Sequence, residues 1–291
     1  MYRVPGLALL LLLPLAAQSA NDRLRGCSAD NAADSLPADR IRVLSLNISH
    51  GRKTALNQLL VSKRKTYNNL DRIGAMLMDM KLDVVALQEA DGPSRWSGNF
   101  DHVAYLGERA GFECRVHGLH SRAWISSYGT ALLSEARPRE YASVTFTPSW
   151  PSKRKGYVWA SFDWTAGGRK LPVTVVSVHL DFLRDSVRDS QIDELSNELA
   201  KVDGPLIVMG DLNSEWDDPA SQVQRLAVEL DLQAYVPFNE GMGTYRNTGG
   251  KRLDWILISN QLEFIDFSVV TDVVSDHLAV YAEIGHRGEA E

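Results

Sequence analysis

Apolar residues in this chain recur in short, nearly continuous runs: 41–47 (IRVLSLN), 83–89 (DVVALQE), 130–134 (TALLS), 172–180 (PVTVVSVHL), 205–211 (PLIVMGD), 253–259 (LDWILIS) and 278–284 (LAVYAEI). A further stretch, 157–164 (YVWASFDW), alternates apolar with polar. These patterns predict strands, several of them buried on both faces. Helical spacing appears between them. Over 69–81, Leu70, Ile73, Leu77 and Met80 share one face, and Ser186–Lys201 and Ser221–Leu230 are further helix candidates. Strands alternating with helices predict an α/β fold of central sheets covered by helices. No repeat, low-complexity tract or glycine-serine linker interrupts the pattern. One domain over 38–286 is expected, with a polar, flexible segment over 20–37 before it and a tail over 287–291 after it.

The first residues follow another pattern. Arg3 precedes an apolar run from Leu7 to Ala17, and Ala17-Gln18-Ser19 places small residues where a signal peptidase cuts. Residues 1–19 therefore read as a secretory signal, too short for a stable membrane span. The expected location is secreted or periplasmic. "LRGC" at 24–27 loosely resembles a lipid-attachment site, but Asn21, Asp22 and Arg23 separate Cys27 from the apolar run, which disfavours anchoring. Cys27 and Cys114 are the only cysteines. Export permits a disulfide between them, and two free thiols are the alternative.

Charge narrows the partners. The chain carries a net −6, and removal of residues 1–19 takes away one arginine, leaving −7. Tight non-specific nucleic-acid binding needs basic surface, which this balance does not supply overall. Local basic runs remain: Ser62–Lys65 and Ser152–Lys155, both SKRK, and the cluster Arg246–Arg252. They read as solvated loops or as contacts to a phosphate-bearing partner.

The chemistry lies where strands end. Asn47 closes one strand, Glu89 the next, His179 and Asp181 a third, and Asp211 and Asn213 a fourth; Asp254 opens one strand and Asp276 and His277 precede the last. One polar residue at a strand exit ordinarily caps a turn. When strand after strand ends this way, the side chains converge at one rim of a sheet. Asn47, Glu89 and Asp276 offer oxygen donors suited to a hard cation, Mg²⁺ first and Mn²⁺ or Ca²⁺ next. Two histidines beside carboxylates can move protons and meet an anion. Asp211 can take a proton from water while Asn213 holds that water or a phosphoryl oxygen. The set equips a site for metal-assisted attack on a phosphate ester.

Taken in order, LNISHG, LQEAD, YGTALLS, KGYVWASF, VSVHLDF, MGDLNS, GTYRN, RLDWIL and SDHLAV resemble the motif series of the endonuclease/exonuclease/phosphatase superfamily over roughly 41–284. The resemblance implies a four-layer α/β sandwich, two mixed β-sheets face to face with helices outside. It implies Glu89 as principal metal ligand with Asn47 and Asp276, and Asp211 with Asn213 at the attacking water. His277 would contact the scissile phosphate while paired to Asp254. His179 would be a second phosphate-facing imidazole, acting on the leaving group or as an acid. Tyr128 stands where some relatives place a phosphate-contacting tyrosine, a role that competes with simple packing.

Departures refine this. Ser49 stands where apurinic-site endonucleases of the superfamily carry an aspartate, and His179 has no counterpart in them. The chain is therefore more similar to the secreted deoxyribonucleases and the sphingomyelinase-type phosphodiesterases. His50 reads as a surface loop histidine rather than a further contact. Expected substrates are small phosphoesters or nucleic acid; a lipid headgroup has weaker support, with Trp150 as a conceivable membrane contact. No stable protein partner is expected. The reading from another class is a non-catalytic binding protein on the same scaffold, which tends to have lost a ligand or a histidine; here all are present.

Overall fold

The computed structural model describes residues 27, 32–236, 241–248 and 250–288. The proposed signal, residues 1–19, lies outside them, as does most of the segment that follows. In chain order the described elements begin with β1 (Arg40–Asn47), α1 (Lys63–Asp79), β2 (Val84–Asp91), α2 (His102–Ala110), β3 (Cys114–Arg122) and β4 (Ser127–Ser134). β5 (Glu140–Thr145), β6 (Gly156–Ala166), β7 (Arg169–His179), α3 (Asp185–Leu199) and β8 (Leu206–Asp211) follow. α4 (Gln222–Glu229), β9 (Leu232–Ala234), β10 (Asp254–Ser259), β11 (Leu262–Val269) and β12 (Val280–His286) complete the series.

The strands form two six-stranded sheets, ordered β11-β12-β1-β2-β4-β3 and β5-β6-β7-β8-β10-β9. Each is mixed, since β1 pairs parallel with β2 and β7 parallel with β8, while the other pairs are antiparallel. Alternate residues of each central strand face opposite ways. Val43, Val84, Val175, Ile207 and Ile256 pack between the sheets. Their neighbours Leu44 and Val85 turn outward onto Leu70, Ile73 and Leu77 of α1 and Val103 and Leu106 of α2. Val176, Val208 and Leu257 do the same beneath α3 and α4, against Ile192, Leu195, Val223 and Leu226. The result is the four-layer α/β sandwich expected.

Local chemistry moved several boundaries. α1 starts at Lys63, not 69, because the Ser62 hydroxyl caps it by accepting from the Lys65 amide. The first SKRK run is thus a capped helix start. β3, β5, β9, β11 and α2 were not anticipated. β3 hides behind polar letters, since His117, His120 and Ser121 are buried in it. Residues 32–37, expected to be flexible, are pinned: Leu36 is buried in the inter-sheet core and donates its amide to Asp163. Cys27 and Cys114 form a disulfide, which settles the open choice against free thiols.

His120 is a clasp between the sheets. One ring nitrogen lies 2.9 Å from Thr130 Oγ1 on β4 and the other 3.0 Å from Thr145 Oγ1 on β5. Burial, helped by the charges of His117 and Lys155, drives its pKa down to about 3, so the folded state holds it neutral. Gly129 makes room beside it: a Cβ there would sit 1.8 Å from the Gly118 carbonyl oxygen and 2.9 Å from the His120 ring. Gly129→Ala is expected to lower the stability by about 3 kcal/mol or more, at the upper end for overpacking, read from the urea midpoint. A depressed histidine contributes stability that is complete above its unfolded pKa and drains as pH falls. Stability should therefore decline from pH ~6.5 toward ~3, and His120→Gln should flatten that decline in urea titrations at stepped pH.

Candidate active site

The predicted residues meet at one rim, where the ends of both sheets come together. Parallel pairing of β7 with β8 sets His179 directly beside Asp211, and antiparallel pairing of β10 with β8 sets Asp254 on its other side. Gly210 allows this. Its φ is 154°, and a Cβ there would meet the Val178 carbonyl oxygen at 1.9 Å, so only glycine lets β8 close on β7 at the last residue before Asp211.

Asp211 is the hub. Its Oδ2 accepts from Asn47 Nδ2 at 3.0 Å, a bond that runs from β1 of one sheet to β8 of the other. Oδ1 accepts from the Asn213 amide at 3.0 Å. His179 Nε2 lies 3.5 Å and His277 Nε2 3.8 Å from Oδ2. Burial and the neighbouring charge of Asp254 raise the Asp211 pKa to about 6, against the opposing pull of His277. His277 Nδ1 is 2.8 Å from Asp254 Oδ2. Burial alone would strip the His277 proton, but Asp254 and Asp211 together hold it to about 10. Asp211, Asp254 and His277 lie within 4.8 Å of one another. An imidazole that keeps its proton offers no lone pair to a metal, so His277 would have to lose that proton before this trio could hold one.

Glu89 faces the same cavity through a distortion. β2 loses register with β4 between Leu87 and Ala90, and Glu89 inside that bulge has φ 49°. His50 (φ 54°) and Asn213 (φ 48°) share the left-handed backbone that non-glycine residues rarely adopt. Three polar residues held in this way at one rim mark a site shaped for a task other than stability.

His50 corrects the sequence reading. It is buried, with Nδ1 2.7 Å from Asp91 Oδ1 and Nε2 3.1 Å from Glu89 Oε2. Burial works against its proton, yet Glu89 and Asp91 raise its pKa to about 9. Burial would likewise raise Glu89, but His50 outweighs it and keeps that carboxyl well below the ordinary range. Arg52 spans Glu89 Oε2 at 3.7 Å and Asp276 Oδ2 at 2.8 Å. The two carboxylates expected to hold a cation therefore already share one cationic group. Asn47 directs its amide nitrogen at Asp211, while its Oδ1 accepts from the Ser49 amide at 3.0 Å.

Lys155 is the second correction. The last residue of the second SKRK run is buried, with Nζ 2.7 Å from His179 Nε2 and 3.1 Å from Nδ1. Burial lowers its pKa, and Glu89, Asp211 and Asp181 oppose the loss of its charge. His179 in turn is driven well below its ordinary pKa by burial and by the Lys155 charge. Lys155 and His179 form one buried, hydrogen-bonded pair on that wall. Tyr128 packs edge-on to His50, 4.6 Å between ring centroids, and also lines the cavity. Asn213 donates Nδ2 to the Leu180 carbonyl oxygen at 3.1 Å, which fixes its orientation.

His50, Glu89, Tyr128, Lys155, His179, Asp211, Asn213, Asp276 and His277 line a cavity of about 570 Å³ together with Arg52, Lys153, Tyr245 and Lys251, while Asn47, Asp91 and Asp254 stand behind that lining. Sequence reasoning passed over Arg52, Asp91, Lys155 and Tyr245. Each lies beside or inside a quoted motif: Arg52 after LNISHG, Asp91 at the end of LQEAD, Lys155 opening KGYVWASF and Tyr245 inside GTYRN.

The family model described as "Endonuclease/Exonuclease/phosphatase family" matches residues 44–277. The chain belongs to the endonuclease/exonuclease/phosphatase family. No curated protein sequence matches it significantly. Among solved structures it resembles an endonuclease/exonuclease/phosphatase from Beutenbergia cavernae (TM-score 0.67, 22% identity, 86% of this chain and 72% of that one). It also resembles the human Nocturnin catalytic domain with bound sulfate (0.61, 18%, 87% and 96%). A third is a mannosyl-6-phosphatase from Bacteroides thetaiotaomicron (0.58, 15%, 84% and 99%). At these identities the likeness concerns the fold, which is of the phosphoesterase type, and the cavity lies at its strand ends.

The Asp254–His277 pair is directly testable. Removing the Asp254 charge with Asp254→Asn should lower the His277 pKa by about 1–3 units, the usual influence of one close opposite charge, followed by NMR of the ring protons across pH.

Proposed function

We propose that this chain is a secreted, divalent-metal-dependent phosphoesterase that hydrolyses a phosphodiester or phosphomonoester by in-line attack of water. The observation that carries the reading is Asp211: a buried carboxylate with a pKa near the working range, set between two imidazoles and facing the cavity that Glu89 and Asp276 also line. A group poised in this way accepts a proton from water more readily than an ordinary aspartate does. Asn47 and the Asn213 amide fix its two oxygens, so the accepting lone pair is directed before substrate arrives.

Protonated His277, with Nδ1 bonded to Asp254, presents Nε2–H to a phosphoryl oxygen on which negative charge grows. His179 and Lys155, hydrogen-bonded to each other, line the opposite wall, where either can donate to the leaving group. Glu89 and Asp276, which share Arg52, form a site that attracts positive charge, and their oxygen donors suit Mg²⁺, Mn²⁺ or Ca²⁺. They would hold the ion, with Asn47 a third donor only if its Oδ1 leaves the Ser49 amide, and the bound ion would act as a Lewis acid toward the phosphoryl oxygens. Support for phosphate as the reacting group comes also from the named phosphatase among the similar structures. Support for export comes from the apolar leader with its small-residue cleavage site and from the Cys27–Cys114 disulfide, a bond that persists in oxidising compartments.

Assaying the purified protein with Mg²⁺, Mn²⁺ or Ca²⁺ on a generic monoester, a generic diester, plasmid DNA, RNA and sphingomyelin tests this reading. One class should be cleaved, a chelator should stop it, and His179→Ala and Asp211→Asn should each lose at least ~100-fold, the lower range for removing a proton-transfer group. Both variants matching the wild-type rate would refute these roles.

A further inference from the structure

Large apolar side chains left in water are unevenly placed on this molecule. Of the thirteen that are exposed among the described residues, eight (Leu56, Leu59, Leu60, Trp124, Ile125, Trp150, Phe182 and Leu183) belong to loops leaving the strand ends that carry the cavity. Trp124 is 85% exposed, Trp150 89%, Leu56 91% and Leu60 80%. Scattered singly, such residues need no explanation; gathered on one rim they mark a surface that meets something apolar.

The loops are held together in two prongs. In the first, Gln58 Nε2 donates to the Trp96 carbonyl oxygen at 3.3 Å and the Trp96 amide to Ile125 at 3.1 Å, so the leucines of 56–60 and the turn bearing Trp124 form one structure. Trp96 also packs on His50, 4.7 Å between ring centroids, which joins this prong to the active-site wall. In the second, Arg184 bonds the Ser149 carbonyl oxygen at 3.0 Å and Ser149 Oγ at 2.7 Å, tying the loop of Phe182 and Leu183 to the one that raises Trp150. Arg52 and Tyr128 line the cavity on the side of the first prong, and Phe182 and Lys153 on the side of the second.

Charge follows the same division. The protein is acidic overall, yet residues 52–65, 92–100, 122–127 and 146–155 contain no aspartate or glutamate, and acids enter the two prongs only at Asp181 and Asp185, on either side of Phe182 and Leu183. The acid-free segments carry Lys53, Lys63, Arg64, Lys65, Arg95 and Arg154. Arg95 lies over the Trp124 ring at 5.3 Å. Aliphatic and indole side chains interleaved with cations are the composition of an interfacial membrane anchor, in which tryptophan sits at headgroup level and basic residues meet anionic lipid. A single-stranded nucleic acid would call for rows of stacking aromatics along the cationic track, whereas the exposed large apolar side chains between Arg52 and Lys63 are Leu56, Leu59 and Leu60.

We infer that this rim docks on the surface of an anionic phospholipid bilayer and holds the cavity mouth at the headgroup layer. The inference deepens the phosphoesterase reading, on which it rests only for what the cavity does once docked: the substrate class becomes a phosphoester presented by the membrane.

Vesicles test it. The full chain is sedimented with phosphatidylcholine–phosphatidylserine vesicles, and tryptophan quenching is read against lipids brominated along the acyl chain. Wild type should co-sediment, more strongly with phosphatidylserine present, and its fluorescence should be quenched. Trp124→Ala and the pair Leu59→Asp with Leu60→Asp should each lose roughly tenfold or more in partitioning, while rates on a soluble phosphoester stay unchanged. Wild type that ignores vesicles, or that binds single-stranded DNA in their place, overturns the docking surface. So do variants that partition like wild type. Vesicle binding without hydrolysis of any phosphoester would uphold docking and remove the catalytic reading instead.

Discussion

A single buried carboxylate organises this molecule's rim. Asp211 is buried, and its charge is tolerable there because Asn47, the Asn213 amide and two imidazoles surround it. Those partners come from β1, from the turn after β8, from the end of β7 and from the approach to β12. The condition that makes the charge bearable is therefore also the condition that assembles the site. The sheets cannot slide past each other without stranding Asp211.

The surrounding design has the same logic on a larger scale. Charges alternate around the cavity: Glu89 with His50 and Arg52, Asp276 with Arg52, Asp254 with His277, and Lys155 facing Asp211 and Glu89. No member is satisfied from its own strand alone. Backbone strain at Glu89, His50 and Asn213 is the visible cost of aiming these groups inward. The dry sandwich beneath, with Val175, Ile207 and Ile256 against Val43 and Val84, supplies the rigidity that keeps the strain from relaxing.

Much of this was legible in the order of the letters, for identifiable reasons. Central strands such as VLSLN and PLIVMGD announce themselves because both their faces are covered, and motif residues were found because they close those strands. What was hidden follows from burial of polar groups. β3 carries His117 and His120 inward, so its pattern does not alternate cleanly. β11, an edge strand, keeps only Leu262 and Phe267 buried and has little apolar signature. Lys155 was taken for solvent because a run of cations usually is, and one-dimensional spacing cannot reveal that the last of them folds under against His179. His50 was misread for the same cause: a loop residue was assigned to water, when its two neighbours across the rim are carboxylates from the β2 bulge.

The bond from Asn47 to Asp211 joins β1 of one sheet to β8 of the other, residues 164 positions from one another. Each sheet has its own helices and its own outer core, so secondary structure can form on either half before the halves meet. The reactive constellation cannot. It comes into being only with the final closure of the sandwich, whatever fraction of the strands has already paired.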